Sequence, residues 1–363
     1  MDRISPLSDD LILKILSIPP TTVAITTSLL SKRWRHVWKH VPKLEYYAPR
    51  SSTTFIHNFF LFHKAPVLQT MNVQLAQLHR PTDIEIWFRV AIPRGVRNLQ
   101  FHQYPQGSKE AIRLPWSLYT CQTLVTLCLV DTFIVDVPLT MRFPSLKALT
   151  LTRVDFSSDE IVPRILSGCP VLEDLSIVRV NNGNVKTFTI MVPSLLRLTV
   201  WDSNYGSHVP GNDIGFVIKA PSLTSLTVVN RVSWVCSLVD MPNLVKADIK
   251  LPPPGDSMKL LECLTSAKHI SLCAGAVPSK IQWELTSPIL QCLISSLETV
   301  EWIDYQGRES EKKLVMYLLE NSGRLKKMAI KALPSINLGE KYKMLQELSS
   351  MLRSSKQCQF SFT

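Results

Sequence analysis

The side chains best suited to metal or redox chemistry are two histidines at helical spacing and eight cysteines. His36 and His40 stand four residues apart, as in helical zinc sites, but no glutamate lies between them and no third ligand is evident. The cysteines form no Cys-x-x-Cys pair and do not combine with histidine at zinc-finger spacing. We therefore expect no metal and no cofactor, and we expect reduced thiols in a protein of the cytoplasm, the nucleus or both.

Motifs that mark common enzyme classes are also missing from the sequence. None of the patterns Gly-x-x-x-x-Gly-Lys-Ser/Thr, Gly-x-Gly-x-x-Gly and Gly-x-Ser-x-Gly occurs, and only 12 glycines stand against 24 prolines. No histidine is placed near Cys358 in the sequence, so we interpret this thiol as part of a core and not as a nucleophile. We predict that the protein is not an enzyme and has no catalytic residue.

The charge of the chain is basic but dispersed. Lysine and arginine number 40 against 29 acidic residues, a formal charge of +11, with small clusters only at positions 32–35 and 326–327. Nucleic acid is therefore the least favoured partner. The apolar stretches are far shorter than the ~20 residues of a membrane span, and the beginning of the sequence lacks the apolar core of a secretory signal. We expect no membrane partner.

Residues 7–41 carry three short helical patterns in close succession. The first has an apolar face and ends at Pro19-Pro20, and the second runs over about 21–30. In the third, apolar residues repeat at i, i+3, i+4 and i+7, at Trp34, Val37, Trp38 and Val41. A unit of this size buries little by itself, so the tryptophan stripe indicates a partner interface, a joint with the next domain, or a simple end cap.

This segment resembles the F-box of plant proteins. The resemblance rests on the run from Ile4-Ser5-x-Leu7-Ser8-Asp9-Asp10 to Ser17 and on the run from Thr27-Ser28-Leu29-Leu30 to Trp38; it departs from the usual pattern at Pro19 and at Thr22-Val23. It implies docking on a Skp-type linker that is held by a cullin-RING ubiquitin ligase. The residues implied in docking, each of which could instead pack inside the module, are Pro6, Leu7, Leu11, Ile12, Ile15, Trp34 and Trp38.

From about residue 65 to 330 the phrase Leu-x-x-Leu-x-Leu recurs. Strong copies begin at Leu124, Leu146, Leu172, Leu195, Leu223 and Leu244, spaced by 22, 26, 23, 28 and 21 residues. Weaker copies begin at Leu68, Val96, Ala267, Leu297 and Leu325. This period is typical of leucine-rich repeats, in which each repeat makes one strand that buries its leucines only against its neighbours. We predict an α/β fold: an irregular leucine-rich-repeat solenoid with a parallel concave sheet.

Side chains between the leucines are expected on the concave face of that sheet. A face of mixed charge with an exposed tryptophan suits protein recognition, although any single member could be merely solvated. The predicted target-binding residues are Asp174, Arg179, Arg197, Trp201, Lys246 and Asp248.

The last sixty residues resemble the FBD domain that follows such repeats in plant F-box proteins. The match runs from Glu301-Trp302 and Gly307-Arg308-x-x-Glu311 to Cys358-Gln359-Phe360-Ser361-Phe362. Its patterns predict helices over 310–321 and 338–352 and an edge strand over 358–362, an α+β cap for the solenoid. The predicted domains are a three-helix F-box at 1–47, leucine-rich repeats at 60–300 and the FBD domain at 301–363.

The resemblance implies the substrate receptor of an SCF-type ubiquitin ligase, with the F-box on the linker and the repeats on an unknown target protein. Two alternatives stay open: a binding scaffold whose F-box no longer engages a ligase, and a small-molecule sensor that uses the concave face. A cavity of several hundred cubic ångströms on that face would favour the sensor.

Overall fold

The computed structural model describes residues 7–48, 53–75, 80–103, 112–131, 133–179, 185–202, 215–229, 235–239, 241–251, 261–274 and 290–363. The chain divides into two compact units, Met1–Leu172 and Glu173–Thr363. Pro6, one of the predicted docking residues, lies outside the described residues. Within the described ranges, every helix is too short or too polar to cross a lipid bilayer.

The first unit begins with short helices and continues with strands that alternate with helices. Its helices are α1 (Asp9–Leu16), α2 (Thr21–Thr26), α3 (Trp34–Val37), α4 (Thr53–Phe62), α5 (Pro81–Ala91) and α6 (Ile161–Ser167). Its strands are β1 (Lys43–Ala48), β2 (Thr70–Leu75), β3 (Asn98–Gln103), β4 (Ile112–Arg113), β5 (Thr126–Val130), β6 (Phe133–Val135), β7 (Ala148–Thr152) and β8 (Asp155–Phe156). Single 3₁₀ turns occupy Thr27–Leu29, Trp38–His40, Ile92–Arg94 and Leu118–Thr120.

Parallel pairing aligns the apolar residues of these strands in rows. The main sheet has the order β1-β2-β3-β5-β7, and the small strands pair as β4-β6-β8. One row of fully or almost fully buried residues crosses the main sheet through Leu44, Met71, Leu99, Leu127 and Leu149. Each layer thus supplies one apolar side chain to a continuous core that no single repeat could bury.

The second unit repeats this arrangement and ends in a more helical segment. Its strands are β9 (Asp174–Arg179), β10 (Thr187–Met191), β11 (Arg197–Asp202), β12 (Gly215–Lys219), β13 (Ser225–Val229), β14 (Val235–Val239), β15 (Lys246–Leu251), β16 (His269–Ala274), β17 (Thr299–Tyr305), β18 (Lys327–Ala332) and β19 (Gln359–Phe362). Its helices are α7 (Gln291–Ser295), α8 (Glu309–Asn321) and α9 (Leu338–Ser349). The main sheet has the order β9-β11-β13-β15-β16-β17-β18-β19, all parallel, and β10-β12-β14 form a second parallel sheet.

The predicted parallel repeat fold is confirmed. Every copy of the repeat phrase, strong or weak, begins two residues before a strand of a main sheet, as Leu124 precedes β5 and Ala267 precedes β16. One further copy of the repeat phrase, Val41-x-x-Leu44-x-Tyr46, was not predicted; it begins two residues before β1. Val41 also fits the helical stripe of Trp34 and Trp38, and that assignment concealed the strand.

The two small sheets lie in segments between the strands of the main sheets. In the segments that return from one main strand to the next, short strands take the place of helices and pair one repeat to the next. Phe188 of β10 lies opposite Phe216 of β12, and their rings stack at 5.1 Å. Alternating apolar residues in such short segments favour strand pairing over a helix, which needs more residues to form a buried face.

One predicted surface residue is buried, and this prediction was wrong. Arg179 is the sixth residue of β9, so the alternation of the strand puts it on the same face as Leu175 and Ile177. It is only 6% exposed, and its guanidinium lies 5.8 Å from the centre of the Phe188 ring. Arg179 therefore belongs to the core beneath the sheet and not to the target-facing surface.

The burial of Trp34, which is 4% exposed, predicts a stability role. Trp34→Ala should lower the free energy of unfolding by about 3–5 kcal/mol, because a large ring leaves a cavity. The matched control is Trp116→Ala in the same unit, whose ring is 72% exposed. Calorimetry should show a lower melting temperature for the first variant only; equal melting temperatures would show that the Trp34 ring is not packed.

A second matched pair tests the position of Arg179. Arg179→Ala should cost about 2 kcal/mol of unfolding free energy, since it removes a desolvated cation–π contact and a packed side chain. Arg197→Ala, on the exposed face of the neighbouring strand, should leave the denaturation midpoint unchanged. A midpoint that falls equally for both variants would contradict the assigned faces.

Candidate functional site

The N-terminal helices owe their geometry to local signals in the sequence. Ser8 caps α1, its hydroxyl accepting a hydrogen bond from the Leu11 amide at 3.4 Å, and Asp9 and Asp10 occupy the first turn, where the helix dipole favours negative charge. The Arg33 guanidinium donates to the Asp9 carboxylate at 2.6 and 2.9 Å. This ion pair joins the start of α1 to the segment just before α3.

The same helices are fastened to the first strand of the sheet. The Glu45 amide donates to the Thr21 hydroxyl at 2.8 Å, and the Lys43 ammonium donates to the Ile18 carbonyl at 3.2 Å. On the other side, the Trp38 ring lies 6.3 Å from the ring of Phe59 in α4. The helical module and the repeat sheet of the first unit therefore share a continuous boundary.

The predicted docking residues fall into two groups. Ile12, Trp34 and Trp38 are no more than 9% exposed and pack inside the module. Leu11 and Ile15, one helical turn apart on the outer face of α1, are 47% and 42% exposed, and Leu7 is half-buried. Sequence reasoning missed further outward apolar side chains, which lie past the end of α1 and around the second helix: Ile18, Val23, Leu29 and Leu30.

His36 and His40 do not occupy one continuous α-helix. His36 lies in α3 and His40 in the 3₁₀ turn that follows, and both side chains are exposed. Across the described residues, no three histidine, cysteine, aspartate or glutamate side chains come together in a way that could hold a metal ion.

The second unit presents a polar face on the side of its main sheet opposite to the buried leucines, which we call the open face. Five of the predicted target-binding residues lie on it. Asp174 and Arg197 face each other across β9 and β11 in a two-pronged ion pair, and the Lys246 ammonium contacts the Asp248 carboxylate at 2.8 Å. Trp201, 38% exposed, stands in register between Val178 and Val229. The open face therefore combines paired charges with an apolar strip.

Burial raises the pKa of four cysteine thiols and so opposes formation of the reactive thiolate. It raises the pKa of the Cys169 thiol to about 12 and that of Cys292 to about 11. Burial also raises the pKa of Cys128 to about 11, although its sulfur lies 3.6 Å from Nε2 of His102. The pKa of half-buried Cys358 is raised in the same way. A nucleophilic cysteine needs the opposite shift, so burial makes these four thiols weaker nucleophiles at neutral pH.

The C-terminal segment forms a compact cap around a turn at Gly307. This glycine has a φ of 71°, and a Cβ at that position would lie 2.6 Å from the Met344 methyl group of α9. The buried Glu311 carboxylate accepts the amides of Gln306 and Arg308, each at 3.0 Å, and so closes the start of α8. Lys312 of α8 contacts Glu347 of α9 at 2.6 Å.

Among the described residues, each unit contains a cavity. One, of about 590 Å³, is bounded by α5 and by the segment around Trp116. The other, of about 440 Å³, lies in the cap at the beginning of β17 and β18. Neither is lined by the residues predicted for target binding.

Models of three protein families match successive parts of the chain. The F-box domain matches residues 4–46, the repeats of an FBD-associated F-box protein (At5g56370) match residues 84–247, and FBD matches residues 285–330.

Several relatives align with the chain over nearly its whole length. The Arabidopsis thaliana FBD-associated F-box relative At5g56440 is 48% identical, with 100% of both chains aligned. The F-box/FBD/LRR-repeat proteins At5g56420 and At4g26340 of the same plant are 33% and 32% identical over at least 99% of both chains. Proteins of this kind are generally adaptors without catalytic activity. The chain belongs to the plant family of F-box proteins that carry leucine-rich repeats and a C-terminal FBD domain.

Proposed function

We propose that this protein is the substrate receptor of an SCF-type ubiquitin ligase. Its F-box docks on a Skp-type linker, and through that linker on a cullin-RING ligase, while its repeats hold a target protein for ubiquitination. The chemistry belongs to other subunits, and the adaptor acts by positioning: it keeps the target close to the charged ubiquitin carrier and so raises the effective concentration of the reacting groups.

The observation that carries the proposal is the exposed apolar surface of a module with a well-packed interior. Ile12, Trp34 and Trp38 hold the helices together, while Leu11, Ile15 and Ile18 point to solvent. Leu29 and Leu30 add side chains that are 87% and 68% exposed. Such a concentration of exposed apolar side chains in about forty residues is typical of a protein interface.

We assign different roles to the predicted docking residues. Leu7, Leu11 and Ile15 contact the linker, together with Pro6 at the start of the module. Ile12, Trp34 and Trp38 act indirectly, because they fix the outer face of α1 against the rest of the first unit. The departures from the usual F-box pattern are compatible with this fold, since Pro19-Pro20 separates α1 from α2 without interrupting either helix.

For the target we propose the open face of the second unit. Trp201 between two valines supplies an apolar anchor, and Asp174, Arg197, Lys246 and Asp248 supply directional charges nearer the beginning of the strands. Aromatic and arginine side chains dominate many protein interfaces, which favours this group as the centre of recognition. The division into F-box (1–47), repeats (60–300) and cap (301–363) follows the same roles, and the cytoplasm or nucleus is where such a ligase would operate.

A double variant of α1 tests the docking role directly. Leu11→Asp/Ile15→Asp places two charges on the outer face and should weaken binding of the full chain to a purified Skp-type linker by about a hundredfold or more, as expected when interface anchors are lost. Isothermal titration calorimetry measures the change. The control is Leu139→Asp, which alters an exposed leucine elsewhere in the first unit and should bind like the unmodified protein.

Full-length variants are needed because residues 43–48 form β1 of the sheet, so removing the module would expose β2. A folded, unmodified chain that fails to bind the linker would reject the ligase role and leave the protein a scaffold. Equal binding by the double variant would show that docking uses another surface.

A further inference from the structure

The 440 Å³ cavity of the cap is built where three strands begin. Its walls are the segment before β17, the loop from α8 to β18, and the turn at 354–357 that leads into β19. The end of α8 is closed by hydrogen bonds: the Leu318 carbonyl accepts from the Ser322 amide at 3.2 Å, and the Leu319 carbonyl from the Ser354 amide at 3.0 Å. These hydrogen bonds occupy two carbonyl groups at the negative end of the helix dipole. They therefore reduce the electrostatic repulsion between this helix end and an anion in the cavity.

Cations outnumber anions in this cavity. Arg324, Lys326 and Lys356 line it together with one acidic residue, Glu298. The Lys326 ammonium is paired with the Glu298 carboxylate at 2.7 Å, whereas Arg324 and Lys356 have no ion-pair partner among the residues that the structure describes. The hydrogen bond from Lys326, with the nearby charges of Lys326, Lys268 and His269, lowers the pKa of Glu298. The surroundings of the cavity are thus positive beyond its own walls.

The polar groups suit a phosphate group in particular. An arginine presents a planar fork that binds two oxygens of one phosphate, and an exposed lysine and the Ser354 side chain line the same cavity. Gly323 also lines the cavity, and the space in front of it is open to a ligand. A Cβ built at this position would have only the Ser354 hydroxyl oxygen within 4 Å, at 3.9 Å. A dianion would balance the charge of Arg324 and Lys356.

The strand beside the cavity provides a place for the rest of a peptide. β19 pairs with β18 on one edge, and no described strand pairs with its other edge. The amides of Gln359 and Thr363 donate to carbonyls of Lys326 and Ile330, so by alternation the amides of Phe360 and Phe362 point away from β18. An unpaired edge of this kind can accept an extended chain as an additional strand.

We propose that the cap binds a phosphorylated peptide, with the phosphoserine or phosphothreonine in the cavity between Arg324 and Lys356 and the adjoining residues paired to the free edge of β19. This would be a second recognition site in addition to the open face. It is independent of linker docking, so it stands or falls separately from the ligase role.

The test uses the full chain and short fluorescein-labelled degenerate peptides with one central phosphoserine. Fluorescence anisotropy should show binding about tenfold tighter than for the same pool with serine, as expected for charge-assisted hydrogen bonds. Arg324→Gln/Lys356→Gln should abolish that difference. Lys313→Gln/Lys343→Gln, which removes two exposed charges from α8 and α9, should preserve it.

A second peptide pool examines the strand pairing. N-methylation of the amides next to the phosphoserine removes the donors needed for an added strand and should weaken binding by about tenfold. Equal binding of phosphorylated and unmodified pools, absence of binding, or full binding by Arg324→Gln/Lys356→Gln would overturn the proposal. So would an unchanged affinity of the N-methylated pool, or tighter binding to phosphatidylserine vesicles or RNA than to phosphopeptide.

Discussion

No main-sheet strand in either unit can bury its apolar side chains without its neighbours, and the rest of the structure depends on this constraint. Leu44, Met71 and Leu99 are buried because parallel pairing puts them in one row, with the next layer covering the last. Stability therefore depends on contacts between neighbouring strands. At the end of a sheet, other residues must cover the apolar side chains of the last strand, and we call such a group a covering. Two of the proposed surfaces, the docking face of the helical module and the cavity of the cap, lie on or beside those coverings.

The two coverings differ in chemistry. At β1 the F-box helices are fixed by Thr21, Lys43 and Trp38, so the module proposed to dock on the linker also contributes the first strand of its sheet. Near β19 the cap relies on Gly307 and on the Glu311 carboxylate to turn the chain from β17 into α8. It leaves one edge of β19 unpaired among the described residues and a positive cavity next to it. A partner is thus expected at each covering: the linker at the first and a phosphorylated chain at the second.

Periodicity predicted the main strands because the repeat phrase states directly which side chains are buried. The prediction failed where the helical period and the repeat phrase overlap, and where apolar and polar residues alternate over only a few positions. Val41 satisfies both the helical stripe and the repeat phrase, and β10 and β12 are five-residue strands in segments that the repeat pattern leaves undefined.

The exposure of individual site residues was less predictable than the positions of the main strands. Leu11 and Ile12 are adjacent aliphatic residues, but Ile12 is fully buried and Leu11 is 47% exposed. Arg179 is one position out of phase with the residues of β9 that lie on the open face. The first distinction depends on how α1 packs, which no local pattern contains, whereas the alternation of β9 by itself puts Arg179 on the buried side.

Hydrogen exchange on the full chain, alone and with a purified Skp-type linker, tests the central claim most directly, because it locates the contact as well as detecting it. The adaptor role predicts slower exchange of amides in α1 and in residues 23–30, with the main sheet of the second unit unchanged. Protection confined to the strands of the second unit, or no protection with a linker that binds other F-box proteins, would contradict it.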